Sequence, residues 1–267
     1  MVRSYFLALA ATFLLPTFGD VSGAAYCPGG TATKEEVIDV LTVINDQRTS
    51  LVEGEAPSGR VGRKLPPAKG MTKISWNCDL EMAALKNVDI NCPIHPLGRA
   101  PEGTTGVHHW SYDDPSIKNF VDLMSDALTD ISVYPFTYSG GPTLKYDPNG
   151  PDEYQDLVRS NTTGLGCVFT SCTNKEDLNE YLAFYCLTNQ GPLTEEDIVY
   201  EVGTGVCSGC PHGTFCDDET KLCTATRDAQ GEASFTGLLI SEHDVFADIF
   251  VFLAQVLKSL TDHAERK

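Results

Sequence analysis

Apolar positions recur at helical spacing in the first half of the chain. Thr33 and Glu36 have the spacing of a capping box, and the apolar residues that follow repeat along one helical face. Gly54 and a loop rich in proline and glycine, residues 57–70, end this first predicted helix. A second helix is predicted over residues 79–92.

The strongest helical stripe is predicted to begin with Asp114 as its N-cap and Pro115 at its first helical position. Its apolar face belongs to the core and contains Ile117, Phe120, Val121, Met124, Leu128 and Ile131. The periodicity is then lost over residues 132–152, where four aromatic residues stand among prolines and glycines: Tyr134, Phe136, Tyr138 and Tyr146. We predict an aromatic loop here, on the surface or lining a cleft, followed by a short helix over residues 151–160.

Runs of strand-forming residues dominate the later part of the chain. Residues 165–172 and 181–187 are predicted to pair as a hairpin, and residues 198–202 form a third β-prone run. Helices first and strands last predict an α+β fold layered around one antiparallel sheet.

Both ends of the chain carry apolar runs. Residues 1–24 combine a basic residue, a short apolar run and small residues, which predicts an export signal cleaved near Gly23 or Ala24. This run is shorter than the roughly 18–20 residues that span a bilayer, so no transmembrane segment is predicted. The tail, residues 224–267, contains an apolar run at 245–257 that predicts an amphipathic helix. Such a helix would dock on the domain or on a second copy, which makes a homodimer one expectation; the alternative is that it lies on a membrane surface.

All ten cysteines lie beyond the predicted signal, and an even count in an exported chain predicts five disulfides. They are Cys27, Cys78, Cys92, Cys167, Cys172, Cys186, Cys207, Cys210, Cys216 and Cys223. The last four have three possible pairings, and a zinc site is the alternative that an exported chain disfavours. Asn161 begins an N-x-S/T sequon, which predicts a glycosylated surface loop.

The charge balance restricts the partners. The chain has 37 acidic and 19 basic residues, a formal net charge of −18. Such a surface repels nucleic acid and anionic lipid headgroups, and we find no basic stripe that would support nucleic-acid binding. The charge favours solubility, and it suits basic partners or cations.

Several segments occur in an informative order along residues 27–203. They are residues 45–48 (NDQR), 74–81 (ISWNCDLE), 164–168 (GLGCV), 181–186 (YLAFYC) and 198–203 (IVYEVG). This series resembles the CAP (SCP/TAPS) superfamily, most closely the venom-allergen-like or activation-associated proteins that nematodes secrete. The resemblance implies an α-β-α sandwich with a three-stranded central sheet, a central cleft, and a small cysteine-rich hinge at residues 204–223.

The resemblance also implies a cleft with two histidines and two glutamates that can bind a divalent metal. His95 lies where the first histidine falls, Asp126 replaces the helical glutamate, and Glu153 begins the segment that replaces the last motif. The second histidine and one carboxylate have no counterpart. We therefore expect a degenerate cleft with no stable metal and no cofactor.

Other candidate side chains have a plain alternative interpretation. His108 and His109, next to Trp110, can supply imidazoles from a shifted loop, or can be ordinary surface or packing histidines. Glu102 is similarly explained as a solvated loop carboxylate. The sequence contains no G-x-S-x-G, H-E-x-x-H or P-loop motif, and all ten cysteines are expected to pair. We therefore predict a protein that is not an enzyme.

Three function classes follow. The leading hypothesis is a secreted effector whose aromatic loop binds a sterol, a fatty acid or another lipid, or which binds a host extracellular protein; the alternative for these aromatic residues is that they only pack the loop. The second class is a receptor- or channel-directed module that uses the hinge. The third, metal-dependent hydrolysis, predicts retained zinc and loss of activity in His95→Ala.

Overall fold

The computed structural model describes residues 24–60, 62–89, 92, 98–111, 116–173 and 180–225. The predicted signal up to residue 23, the predicted helix of the tail, His95, and the predicted helix start at Asp114 and Pro115 lie outside these residues. None of the helices within the described ranges has the length and apolar character that a membrane crossing requires.

Four α-helices and one short 3-10 turn are present in the described residues. They are α1 (Lys34–Val52), α2 (Cys78–Asn87), α3 (Phe120–Thr129), the 3-10 turn (Asp130–Ser132) and α4 (Asp152–Val158). The predicted capping box is confirmed: the Glu36 amide donates to Thr33 Oγ1 at 3.2 Å, and the Thr33 amide donates to Glu36 Oε2 at 2.7 Å. Two backbone donors at the start of α1 are satisfied in this way.

The predicted start of α3 is wrong. The helix begins at Phe120, and its N-cap is Asn119, whose Oδ1 accepts a hydrogen bond from the Asp122 amide at 2.8 Å. Ile117 therefore precedes the helix, although its partly buried side chain still packs against the core. The asparagine directly before Phe120 is a second N-cap signal, and it competes with the Asp-Pro start signal.

The predicted ends of α2 and α4 are also too late. The helix α2 ends at Asn87, since Val88 adopts an extended conformation. The helix α4 ends at Val158, because Arg159 turns to φ −57° and ψ 126°. The turn at Arg159 leaves the next carbonyl groups free to accept hydrogen bonds from the side chain of Arg48. Arg48 is buried, and the sequence pattern does not reveal this role.

Eleven strands form four sheets in the described residues. They are β1 (Pro57–Ser58), β2 (Arg63–Lys64), β3 (Ala68–Lys69), β4 (Ser75–Trp76), β5 (Thr105–Trp110), β6 (Thr143–Lys145), β7 (Gly164–Thr173), β8 (Glu180–Thr188), β9 (Ile198–Val202), β10 (Phe215–Cys216) and β11 (Cys223–Thr224). The main sheet has the order β4-β7-β8-β5. The predicted hairpin is confirmed as the antiparallel pair β7 and β8, whereas β4 runs parallel to β7.

The prediction of one antiparallel sheet is wrong. The strand β9 is not the third strand beside the hairpin; it is the central strand of a second sheet with the order β3-β9-β6. Its partners come from the loops predicted at residues 57–70 and 132–152. The place beside β8 is taken by β5, which carries His108 and His109.

The main sheet is covered by helices on both faces. On one face, Val168, Tyr185 and Leu187 pack with Leu80 and Ala84 of α2. On the other face, apolar residues of β7 and β8 join one large core with α1, α3 and α4. The architecture is an α-β-α sandwich, as the resemblance implies.

Gly166 allows α2 to lie directly on β7. A Cβ atom at this position would be 2.1 Å from the Glu81 amide nitrogen and 2.7 Å from the Asn77 carbonyl oxygen. Because backbone atoms cannot yield as a flexible side chain can, only glycine fits here.

Arg48, the arginine of the NDQR segment, stabilises the fold through buried hydrogen bonds. Arg48 has no exposed surface, and burial lowers its pKa to about 9. Its guanidinium donates to backbone carbonyl oxygens of Thr72 (2.9 Å), Leu157 (2.6 Å), Arg159 (3.0 Å), Ser160 (3.4 Å) and Thr162 (3.1 Å). The side chain thus satisfies the carbonyl groups after α4 and ties them to α1.

The other residues of the family segments are also structural. Asn45 exchanges two hydrogen bonds with the backbone of Ile74. Glu81, fully buried, accepts from the Thr31 and Ala32 amides through Oε1 and from the Trp76 indole through Oε2 at 2.8 Å. These contacts fix residues 31–32 and β4 to α2.

The prediction of five disulfides is confirmed. The pairs are Cys27–Cys78, Cys92–Cys172, Cys167–Cys186, Cys207–Cys216 and Cys210–Cys223. Free cysteines are absent from the part of the chain that the structure describes. The last two pairs staple the hinge, residues 204–223.

The hinge is docked on the domain. The Cys223 amide donates to the Met71 carbonyl at 2.8 Å, and the Lys73 amide donates to the Cys223 carbonyl at 2.9 Å. Leu222 is fully buried in the main core. The hinge and the domain consequently share one core, and the described residues between 24 and 225 form one compact unit.

Candidate functional site

The strand β5 brings an imidazole to the face of the main sheet that α3 covers. His109 is opposite Phe184 in the β5–β8 register, and the two rings are 6.2 Å apart. The His109 Nε2 atom is 2.8 Å from Asp126 Oδ2 on α3. The His109 side chain is 20% exposed and that of Asp126 is 46% exposed, so water reaches this pair.

Two more carboxylates belong to this group. Asp130 follows α3, and Glu153 lies in the first turn of α4. Burial raises the pKa of Asp130; His109 lowers that pKa in part, while Asp126 and Glu153 raise it further. These electrostatic influences on Asp130 define a group of four side chains, which we call the acidic cluster: His109, Asp126, Asp130 and Glu153.

A fourth carboxylate lies one turn further along α4. Burial raises the pKa of Asp156 to about 7, with a further increase from Asp152 and Glu153 and a smaller opposing effect of Arg159. Asp156 is thus close to half-protonated at neutral pH.

The described residues do not assemble a metal centre. They contain no group of three or more histidine, cysteine, aspartate or glutamate side chains arranged to hold a metal ion. Of the predicted degenerate cleft, Asp126 and Glu153 lie in the acidic cluster and His95 lies outside the described residues. An imidazole bonded to a carboxylate can store or transfer a proton, and this is the chemistry that the described residues allow.

The neighbouring candidates face away from the cluster. Alternation along β5 places His108 and Trp110 on the opposite face of the strand, where their rings stack at 5.9 Å with an interplanar angle of 14°. Glu102 is exposed in the turn before β5. The sequence pattern identified the imidazole of His109 only as one of several alternatives.

The four aromatic residues of the predicted loop divide into two environments. Phe136 is 6% exposed and belongs to the main core, so the surface location predicted for the loop is wrong for this residue. Tyr134 is 56% exposed and Tyr138 is 36% exposed. Tyr146 is partly buried, and its hydroxyl donates to Asp152 at 2.9 Å.

The aromatic loop is anchored on α4. The Phe136 ring is 6.0 Å from the buried Tyr154 ring. The Thr137 amide donates to Asp147 Oδ2 at 2.8 Å, and the Asp147 backbone exchanges two hydrogen bonds with the Gln155 side chain. The loop therefore has a fixed conformation that projects Tyr134 and Tyr138 into solvent.

Sequence reasoning missed Asp130. One signal was present: Asp122, Asp126 and Asp130 recur every four residues, the spacing of one helical face. Asn161, in contrast, is exposed as predicted, although its glycosylation stays a prediction.

The sandwich, the docked cysteine-rich hinge and the acidic cluster define a disulfide-stapled domain of the CAP type. A model of the cysteine-rich secretory protein family, CAP, matches residues 41–188. The chain belongs to this family.

Curated relatives agree with this assignment. The chain is 28% identical over 239 residues to the Ancylostoma secreted protein of Ancylostoma caninum, covering 84% of the chain and 51% of that protein. It is 27% identical over 172 residues to Venom allergen 5 of Vespula pensylvanica, covering 60% of the chain and 76% of that protein. The chain thus spans about half the length of the Ancylostoma relative.

Solved structures share the fold. NaASP2, solved with Zn²⁺, superposes with a TM-score of 0.59 at 23% identity and covers 74% of the chain and 100% of NaASP2. BmVAL-1 superposes with a TM-score of 0.57 at 21% identity, covering 74% of the chain and 97% of BmVAL-1. These nematode proteins confirm the fold class.

Proposed function

We propose that this chain is a secreted, non-enzymatic CAP protein that acts outside the cell by binding, and that its aromatic loop holds a sterol or a fatty acid. The names of the curated relatives, a secreted protein and a venom allergen, support release from the cell. Five disulfides support an oxidising compartment. The predicted signal, residues 1–24, and a glycan on Asn161 are parts of this proposal.

One observation carries the choice of ligand. Val133 (39% exposed), Tyr134 and Tyr138 stand in solvent on both sides of Phe136, which is buried. Because Phe136 is fixed in the core, the loop cannot fold its other apolar side chains inward. Apolar side chains held in water gain free energy when an apolar ligand covers them.

The experiment is a titration of the secreted protein with a fluorescent sterol and with a fluorescent fatty acid, each below its aggregation concentration. The double variant Tyr134→Ser/Tyr138→Ser should weaken binding about tenfold or more, since each ring contributes on the order of 1 kcal/mol of contact. Tyr26→Ser is the matched control, because Tyr26 is 40% exposed outside the loop.

The proposal is wrong if neither probe binds, or if the loop variant and Tyr26→Ser have the same affinity as the wild-type protein. Competition distinguishes a sterol ligand from a fatty-acid ligand. Each unlabelled compound is added to the protein loaded with the other fluorescent probe, and the probe that is not displaced identifies the preferred ligand.

A second candidate, recognition of a host extracellular protein or receptor through the hinge, has an observation of its own. Val206 is 46% exposed and Phe215 is 45% exposed, both within the hinge. Val206→Ser/Phe215→Ser should abolish binding to such a partner while it leaves the affinity for the fluorescent probes unchanged. Unchanged binding to such a partner in this variant would contradict the second candidate.

A further inference from the structure

This acidic chain contains one strongly basic segment. Residues 56–78 carry five basic residues and no acidic residue, although the whole chain has 37 acidic and 19 basic residues. The net charge of −18 for the whole chain does not reveal this local excess of basic residues. Electrostatic interactions are largely screened beyond about 8 Å at physiological ionic strength, so the local charge governs a surface contact.

Two arginines of this segment are available for a partner. Lys64 pairs with Glu55, and Lys69 pairs with Glu201 at 2.9 Å. Arg60 and Arg63 are exposed, and no ion pair or hydrogen bond to another described residue engages either guanidinium. The tip of the β1–β2 hairpin consequently presents free positive charge.

The hairpin tip lies against the aromatic loop. The Gly59 amide donates to the Ile131 carbonyl at 2.9 Å. Gly59 has φ +69°, and a Cβ atom there would be 2.8 Å from Pro135 Cβ, so the Pro135 ring fills the space that a side chain would need. Arg60 and Tyr134 are each one residue from this contact.

We propose that Arg60, Arg63, Val133 and Tyr134 form an interfacial patch that binds a membrane surface carrying anionic lipid headgroups. Arginines bind the headgroups, and each basic residue near such a surface increases partitioning roughly fivefold. Aromatic and apolar side chains enter the boundary between headgroups and acyl chains. Both kinds of side chain are exposed at adjacent positions of two loops that a buried contact holds together.

The apolar side chains of the patch, Val133 and Tyr134, indicate which kind of partner fits it. A sulfated polysaccharide would also attract Arg60 and Arg63, but it offers no apolar surface to Val133 or Tyr134. A lipid bilayer covers both halves. The observations therefore favour a membrane over a polysaccharide.

The inference goes beyond the proposed function, although it shares Tyr134 with it. Binding of a single sterol or fatty acid is measured without vesicles and does not need the arginines. Binding to vesicles needs them. Failure of one property is therefore distinguishable from failure of the other.

The test is co-sedimentation of the full secreted chain with phosphatidylcholine vesicles prepared with and without phosphatidylserine. Arg60→Gln/Arg63→Gln should lower partitioning onto the anionic vesicles roughly 25-fold, two factors of about five. Lys34→Gln/Lys118→Gln is the matched control, because it removes the same charge from exposed positions elsewhere and should leave partitioning unchanged. Val133→Ser/Tyr134→Ser should lower partitioning onto the anionic vesicles.

Three results would overturn the inference. Phosphatidylserine has no effect on the wild-type protein; the lysine control loses as much binding as the arginine variant; or the protein ignores vesicles and binds a heparin column through Arg60 and Arg63. Melting curves of the three variants check that each is folded.

Discussion

Two groups of ionisable side chains lie in different environments in this molecule. One is Arg48 and Glu81, and the other is the acidic cluster of His109, Asp126, Asp130 and Glu153. Arg48 and Glu81 are fully buried, and each makes several hydrogen bonds to fixed partners. The acidic cluster is partly open to water, and burial, with a smaller contribution from Asp126 and Glu153, raises the pKa of Asp130. The family segments thus hold the fold, whereas the groups that can change protonation lie elsewhere.

The largest expected effect is at Arg48. Arg48→Leu leaves buried carbonyl oxygens after α4 without donors, so we expect the free energy of unfolding to fall by about 3–5 kcal/mol. Urea denaturation monitored by circular dichroism measures this change. The control is Arg63→Gln, an exposed arginine, for which we expect less than about 0.5 kcal/mol. A loss below about 1 kcal/mol in Arg48→Leu would show that this residue does not hold the fold.

Glu81→Gln should have the next largest effect. The amide keeps the shape but replaces one acceptor oxygen by a donor, which then faces the N–H groups of Thr31 and Ala32 or of Trp76. We expect a loss of about 1.5–3 kcal/mol, the usual value of hydrogen bonds to a charged group. Urea denaturation again gives the number, and the exposed Glu201→Gln is the control. Equal stability of the two variants would contradict the role of Glu81.

Acidification should stabilise the protein near neutral pH. Burial raises the pKa of Asp156 to about 7 and also raises that of Asp130, so the folded chain holds protons that the unfolded chain releases. The cost of the charged forms is fully present above pH 7 and disappears as the pH falls through 7 toward the unfolded value. Each such group changes stability by at most about 1.4 kcal/mol per pH unit in that window.

Asp156→Asn sharpens this prediction. The variant removes the buried charge, so we expect a higher melting temperature than wild type at pH 8 and a smaller increase between pH 8 and pH 5.5. Asp218→Asn, at an exposed position of the hinge, is the matched control. A wild-type melting temperature that falls on acidification over this range would contradict the assignment.

The smallest effect is expected at His109. The His109–Asp126 pair is partly exposed, so His109→Gln should cost only about 0.5 kcal/mol. Because His109 lowers the pKa of Asp130, the same variant should raise that pKa. An NMR titration of the Asp130 carboxyl group measures the shift, and no change would place His109 outside the cluster.

Local signals in the sequence predicted much of the fold. The capping box at Thr33 and Glu36 and the β7–β8 hairpin have strong short-range patterns, and the cysteine count predicted five disulfides. The partners of β9 could not be predicted in this way. They are the strands of two and three residues, β3 and β6, which are too short to show a periodicity and lie far apart in the sequence.

The acidic cluster was only partly predictable. Asp126 and Glu153 were candidates from the family pattern, but β5 alternates weakly, with Val107 as its only fully buried residue, and it reads as a loop. His109 and Asp130 therefore meet only once β5 is paired with β8. Tertiary pairing, which no local pattern records, creates the cluster.

Native mass spectrometry with solvent extraction of the full chain, purified from a eukaryotic secretion host, tests the central claim that this protein binds rather than catalyses. We predict a stoichiometric sterol or fatty acid that is lost in Tyr134→Ser/Tyr138→Ser and retained in His109→Ala. A protein that instead carries zinc after extensive dialysis, and whose hydrolytic activity disappears in His109→Ala, would contradict it.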